Sequence, residues 1–398
     1  MSMRTSPRLV LIGALLVAGC STIIGVKDLT FDGSEAKDGG SSSGSSGVDS
    51  SSSSSGNVDG GDASCVADLM NDDKHCGRCG HDCGGGICAG GICQPVELAR
   101  DQKGPVSVAV DPMNVYWANY DGAAIMTVPK NGGVPKALVS IGAPTAVTYD
   151  PVSGMFFYGA DIGTGVVRKC TPPDCEMATA KAISTGAYVH FIEVRDGIVY
   201  FSTENEVHRV TIAGTDERPL GNTPQSFHLV TDETHVYWTS NYFALRRVPL
   251  DGGAVEDLGP IDGTDNANFV ALDKDHVYWS SRPTVTSGTV FRADKKTPLV
   301  KTAYVENAKR LTGIAVDDTY VYWLEGGGLT GSPPDDVPTN DGRLLACKKA
   351  GCGTGEPRVL AKDAKLGGVI AQDANFLYWC EYGGFQLDAG RIRKVAKP

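Results

Sequence analysis

"THVYWTSNYFALRRVPLDGG" (residues 234–253) reads as one unit of a text that repeats itself. Its Val-Tyr-Trp triplet, short polar stretch, Arg-Val run and Asp-Gly-Gly turn recur in variants from about residue 95 to the C-terminus of the 398-residue chain. Aromatic triplets end at Trp117, Tyr158, Phe201, Trp238, Trp279, Trp323 and Trp379, a mean spacing of about 44 residues. Six residues before the last aromatic stands Asp111, Asp232, Asp273, Asp317 or Asp373. Arg195 takes that place in the third unit, and Asp150 opens a slightly longer turn in the second. A constant offset marks a tight turn of fixed length.

Upstream of each turn lies a short apolar run such as "VAV" (108–110) or "IAV" (314–316). Downstream of the aromatics comes a third run, "ALRRV" (244–248) or "GRIRKV" (390–395). A "DGG" or "NGG" hairpin signal then leads to a fourth, such as "KALV" (136–139), "TPLV" (297–300) or "RVLA" (358–361). Four short strands per unit define a propeller blade. The expectation is an all-β chain whose main body, 95–398, is a seven-bladed β-propeller, with six blades as the runner-up. The units resemble the YWTD repeats of low-density-lipoprotein-receptor propellers, "VYWTS" and "RRVPLDGG" carrying the likeness. That family builds six blades, whereas seven units are counted in this chain.

The last unit stops after its third run, at "GRIRKVAKP" (390–398), while "VELAR" (96–100) matches a fourth strand and has no unit of its own. The N-terminal strand is therefore expected to pair with the C-terminal blade and close the ring, leaving no long unpaired edge. The aromatic triplets are read as packing between blades, each large ring burying on the order of 150–250 Å². Two hairpins carry cysteine pairs, "CTPPDC" (170–175) and "CKKAGC" (347–352), suited to local disulfides Cys170–Cys175 and Cys347–Cys352.

Function is sought in what the repeat does not repeat. Turns one-to-two and three-to-four of a blade share one face, and they are uniform in this chain. The two-to-three and blade-to-blade loops share the other face, and they vary: "DGTDNANF" (262–269), "SRPTVTSG" (281–288), "EGGGLTGSPPDDVPTNDG" (325–342) and "EYGGFQLDAG" (381–390). Irregular insertions on one side of a regular scaffold are where binding surfaces sit. Candidate ligand-binding residues are Tyr120, Tyr242, Phe243, Glu325, Asp335, Asp336, Glu381 and Tyr382, a mix of carboxylates and aromatics suited to a protein or polysaccharide ligand. His190 and His228 fall near the starts of two inner strands, at the channel mouth, and are the candidates for a lyase or hydrolase alternative. No nucleophile elbow, phosphate loop or metalloprotease helix is spelled out. No cofactor is expected. "DGTDN" and "DDVPTND" supply oxygen ligands for calcium, but not at any recognised spacing.

The N-terminus frames these expectations. Arg4 and Arg8 precede an apolar run, Leu9 to Ala18, that is too short to span a bilayer. It ends in "LVAGC" (16–20), which resembles the lipobox of bacterial lipoproteins. That implies a signal peptide over 1–19, lipidation of Cys20, and an exported protein anchored in the cell envelope. Ser21, a non-acidic second residue, resembles the pattern of outer-membrane sorting. Residues 20–64 are rich in Ser, Gly and Asp and are expected to form a disordered tether reaching on the order of 35–40 Å.

Residues 65–94 hold six cysteines, Cys65, Cys76, Cys79, Cys83, Cys88 and Cys93, in a segment too small and polar to own a core. Three disulfides are favoured in an oxidising compartment over a zinc site on Cys76, Cys79, Cys83, His75 and His81, and 15 pairings are open. The pattern resembles the stigma-specific cysteine-rich family. Cys380 is the odd cysteine, expected as a buried inert thiol. The formal charge of −11 becomes −13 once Arg4 and Arg8 leave, and no basic stripe appears, which disfavours nucleic acid. The partners expected are the membrane and a protein or polysaccharide, for a chain that is otherwise monomeric.

Overall fold

A computed structural model describes residues 68–398 apart from 162–164, 177–179, 187, 223–225, 241–244, 260–266, 282–286, 328, 331–336, 339–340, 353–356, 366 and 383–388. Seven four-stranded antiparallel sheets are arranged as blades around an axis. The innermost strands are Pro105–Val110, Pro144–Asp150, Val189–Arg195, Ser226–Thr231, Ala267–Leu272, Leu311–Val316 and Gly367–Gln372, and each contacts the inner strand of the next blade. The contact between Gly367–Gln372 and Pro105–Val110 closes the circle. The repeat count is thus seven blades, not six.

Closure takes the expected form. Val96–Gln102 is the outer strand of blade 7, paired antiparallel to Gly390–Ala396 through Val96 with Lys394 and Glu97 with Arg393. The strand then leads directly into blade 1. Its last residue, Gln102, is buried, and its Oε1 accepts from Trp117 Nε1 and Asn119 Nδ2, both at 3.0 Å. One side chain therefore ties the closing strand to the neighbouring blade.

The aromatic triplets form the core. Trp117, Trp238, Trp279, Trp323 and Trp379 are fully buried, with Tyr116, Tyr158, Tyr237, Tyr278, Tyr322 and Tyr378 beside them. One fourth-strand expectation is corrected. "TPLV" (297–300) lies in the turn before Lys301–Ala308, with Leu299 and Val300 exposed, because Thr297 N–H bonds the Asp294 carbonyl and holds the chain in a tight turn there. The third unit, which has Arg195 where the others have Asp, turns instead on Asp196 and Gly197. Both have positive φ, 50° and 75°, the conformation a two-residue hairpin of this twist requires.

The cysteine-rich segment is stapled by Cys76–Cys88 and Cys83–Cys93; Cys79 is also disulfide-bonded, while Cys65 lies outside the described residues. Its disulfides pack on Phe376 and Ala396 of blade 7. His81 bridges the Cys76 and Lys397 carbonyls at 2.6 and 2.7 Å, so its ring joins the module to the propeller. The hairpin clips Cys170–Cys175 and Cys347–Cys352 are formed, and Cys380 is a buried free thiol.

Candidate functional site

The two faces differ in how their polar groups are used. On the turn face, Asp273 Oδ1 accepts from the backbone N–H groups of Asp275 and His276 at 2.8 and 2.6 Å, while Oδ2 accepts from Tyr278 OH at 3.0 Å and pairs with Lys349 at 3.1 Å. Asp317 does the same with Tyr322 and Lys397, and Asp373 with Tyr378 and Lys130. Asp232 pairs with Lys295. In each case the lysine comes from the next blade, so the turns are latched to one another, and Lys130 with Asp373 spans the closure between blades 1 and 7. Burial works to raise the Asp232 and Asp273 carboxyls, but turn N–H groups and the lysines outweigh it and hold both at about 2.

On the loop face the carboxylates are less fully used. Tyr382 OH, from blade 7, donates to Asp121 Oδ2 at 2.9 Å, and Tyr382 packs with Tyr120 on the core shared by blades 1 and 2. Burial raises the Tyr120 hydroxyl, helped by the nearby Asp161 and Asp121 carboxylates. Burial likewise raises the Asp161 carboxyl to about 6 against a lowering bond from the Val189 N–H, with Glu204 adding like charge, and Asp161 Oδ1 is buried without a hydrogen-bond partner among the described residues. Glu204 also lies near His190 of blade 3. Tyr382, Asp121, Tyr120, Asp161, Glu204 and His190 thus form an arc around the loop-side rim of blades 7, 1, 2 and 3. Asp121, Asp161 and Glu204 were not among the sequence candidates; their signal is position, each just past the end of a second strand.

The other candidates divide sharply. Glu325 and Glu381 are corrected: neither is an open carboxylate, at 4% and 0% exposed. Glu325 Oε2 accepts from Arg343 at 2.8 and 3.2 Å. Glu381 accepts from Trp379 Nε1 at 2.9 Å, from Arg391, from Arg393 at 3.1 Å and from the Lys365 N–H at 3.2 Å. Each buried carboxylate ties neighbouring strands of its own blade, and leaving such a charge unpaired would be costly. Tyr242, Phe243, Asp335 and Asp336 lie outside the described residues, as do most of the two stretches considered for calcium.

The histidines do not converge on a reactive centre. A ring nitrogen of His190, Nδ1, bonds the Ser226 carbonyl at 2.6 Å, and burial lowers its pKa. His228 is buried between Phe191 and Phe269, with ring centroids 4.0 and 5.2 Å away, and burial lowers it to about 3. It is neutral over the physiological range and packs as an aromatic ring.

Fold and closure together define the class: a seven-bladed β-propeller with a disulfide-stapled N-terminal module. The chain is similar in fold to the WD40 propeller domain of Doa1, with TM-score 0.56 and 12% identity over 75% of this chain and 96% of that one. It is also similar to the β-propeller domain of Cps50 (Swd1) from Myceliophteria thermophila, with TM-score 0.52 and 13% identity over 76% and 100% of the two chains. At such identities the likeness is one of architecture. No family model and no curated protein matches the sequence.

Proposed function

We propose that the chain is an exported lipoprotein, acylated on Cys20 and tethered to the cell envelope at the outer membrane, whose YWTD-like propeller binds a protein or polysaccharide through its loop face without catalysis. The supporting observation is the arc from Tyr382 to His190, where carboxylates and tyrosines gather and one carboxylate oxygen has no partner among the described residues. The turn face, by contrast, spends its carboxylates on latches. Val96–Gln102 runs from the turn face to the loop face, which supports a tether entering on the turn side and an arc pointing away from the anchor. The lyase or hydrolase alternative rests on His190 and His228, whose surroundings are those of packing groups, and it is not adopted.

The test is a protein and glycan array probed with the mature chain, the Asp121→Asn/Asp161→Asn double variant, and a variant with 327–340 replaced by a short Gly-Ser link. Binding that is lost or weakened at least tenfold in either variant supports the reading. Equal binding by all three, or none to any surface, overturns it. Radiolabelled palmitate incorporation that disappears in Cys20→Ala tests the anchor separately.

A further inference from the structure

The propeller axis holds a cavity of about 450 Å³ that belongs to neither face's loops. It is lined by the turn-side half of all seven inner strands, from the level of Phe191 and His228 to the residues just before the turns. Its walls are mostly aliphatic, among them Val108, Val147, Val270, Ile314 and Val369. A cavity of this size accommodates a small organic molecule.

One blade breaks the pattern of this lining. The residue two before the turn position is Ala109, Ala271, Ala315 or Ala371 in four repeats, Thr148 and Val230 in two others, and Glu193 in the third. The fold therefore needs no carboxylate at that position, and placing one in an aliphatic channel disfavours its charged form. Glu193 Oε1 accepts from Thr231 Oγ1 at 2.9 Å, but Oε2 is buried with no partner among the described residues. At the same end of the channel, Gln372 replaces the aliphatic residues that precede the turn in blades 1, 5 and 6, namely Val110, Leu272 and Val316. Its Nε2 donates to the Val316 carbonyl at 2.8 Å, leaving Oε1 buried without a donor among the described residues. Those two atoms are acceptors; His228 Nδ1, further along the same lining, is likewise buried without a partner among the described residues.

We propose that this channel is a second binding site, separate from the loop-face arc, for a ligand carrying a primary ammonium on an apolar stem. The ammonium donates to the Glu193 carboxylate and supplies its counter-charge, and the stem lies along the aliphatic wall; an anionic ligand meets the like charge of that carboxylate. The chain itself gives Glu193 little counter-charge. Burial raises its carboxyl to about 7, Thr231 and Arg195 lower it, Asp232 raises it, and His228 at the inner end is neutral.

The probe is n-hexylammonium chloride added to the mature chain, with 1-hexanol as the uncharged control and sodium chloride holding ionic strength constant. The readout is the melting temperature, with isothermal calorimetry giving the affinity. Hexylammonium is expected to raise the melting temperature saturably and hexanol to leave it unchanged. Glu193→Ala restores the residue most repeats use and should fold at least as well while losing the response. Glu193→Gln, which keeps the shape, should weaken binding at least tenfold, the loss expected for a charged hydrogen bond. Asp121→Asn/Asp161→Asn should respond as wild type does, which separates this site from the loop face. The proposal is overturned by the absence of a saturable shift in the wild type, by an equal shift in Glu193→Ala, or by a shift abolished in the loop-face variant alone.

Discussion

Replacing Asp273 with Asn should convert one interblade latch into a pH-independent turn. The Asn side-chain oxygen can still accept from the Asp275 and His276 N–H groups, so the turn survives, but the charge facing Lys349 and the strong acceptor for Tyr278 OH are lost. The magnitude follows from the carboxyl's depression from 3.8 to about 2. At about 1.4 kcal/mol per unit, the charged form contributes on the order of 2 kcal/mol to folding. The sign is that of a depressed acid. The contribution is fully present above the unfolded value near 4, declines as pH falls, and is gone below the folded value near 2. Urea denaturation of wild type and Asp273→Asn should therefore differ by about 2 kcal/mol at pH 7, with the gap closing toward pH 2. A gap that is constant with pH, or no gap at pH 7, would refute the latch as drawn, since neutral packing has no reason to titrate.

Three further outcomes are expected. Gln102→Ala strands two buried donors, Trp117 Nε1 and Asn119 Nδ2, and should cost about 2–6 kcal/mol in the same denaturation assay, at about 1–3 kcal/mol per unpaired group; a loss under about 0.5 kcal/mol would detach the closing strand from blade 1. Cys380, 0% exposed, should resist iodoacetamide in the native protein and react once it unfolds, as read by intact mass without reduction. His228→Phe should preserve the stack with Phe191 and Phe269 and leave stability at pH 7 within about 1 kcal/mol, while removing the loss that wild type suffers as pH falls below about 6.5 and the unfolded histidine takes up a proton. A steeper acid loss in that variant would contradict the neutral, packed role.

Much of the architecture was legible because packing repeats. The Asp at a fixed offset from the last aromatic announced the turn, and the structure adds why its neighbour is Tyr: the ring reaches back to the same carboxylate, as in Tyr322 with Asp317. That bond joins residues five apart across a turn, and triplet spacing alone does not display it. The lysine latches were hidden for a different reason, since Lys130 and Asp373 are 243 residues apart and meet only because the ring closes. Glu325 and Glu381 were misread although strand periodicity held the correction. Glu381 lies two residues beyond Trp379 and so shares its side of the strand, and Arg391 and Arg393 face it at the same alternation. "TPLV" deceived through its apolar residues, which the turn leaves in solvent. Asp121, Asp161 and Glu204 were passed over because acidic residues in short loops are ordinary; only the fold shows that three blades bring them to one rim.

The seven-bladed ring joined by its own N-terminal strand is the claim on which both faces and the channel depend. Hydrogen-exchange mass spectrometry on peptides spanning Val96–Gln102 tests it most directly, because those amides pair with Gly390–Ala396 only if the circle is closed. Exchange is expected to be as slow as in the inner strands and released in the same global unfolding step. Exchange of 96–102 at the rate of an unpaired segment, with the rest of the propeller still protected, would contradict it.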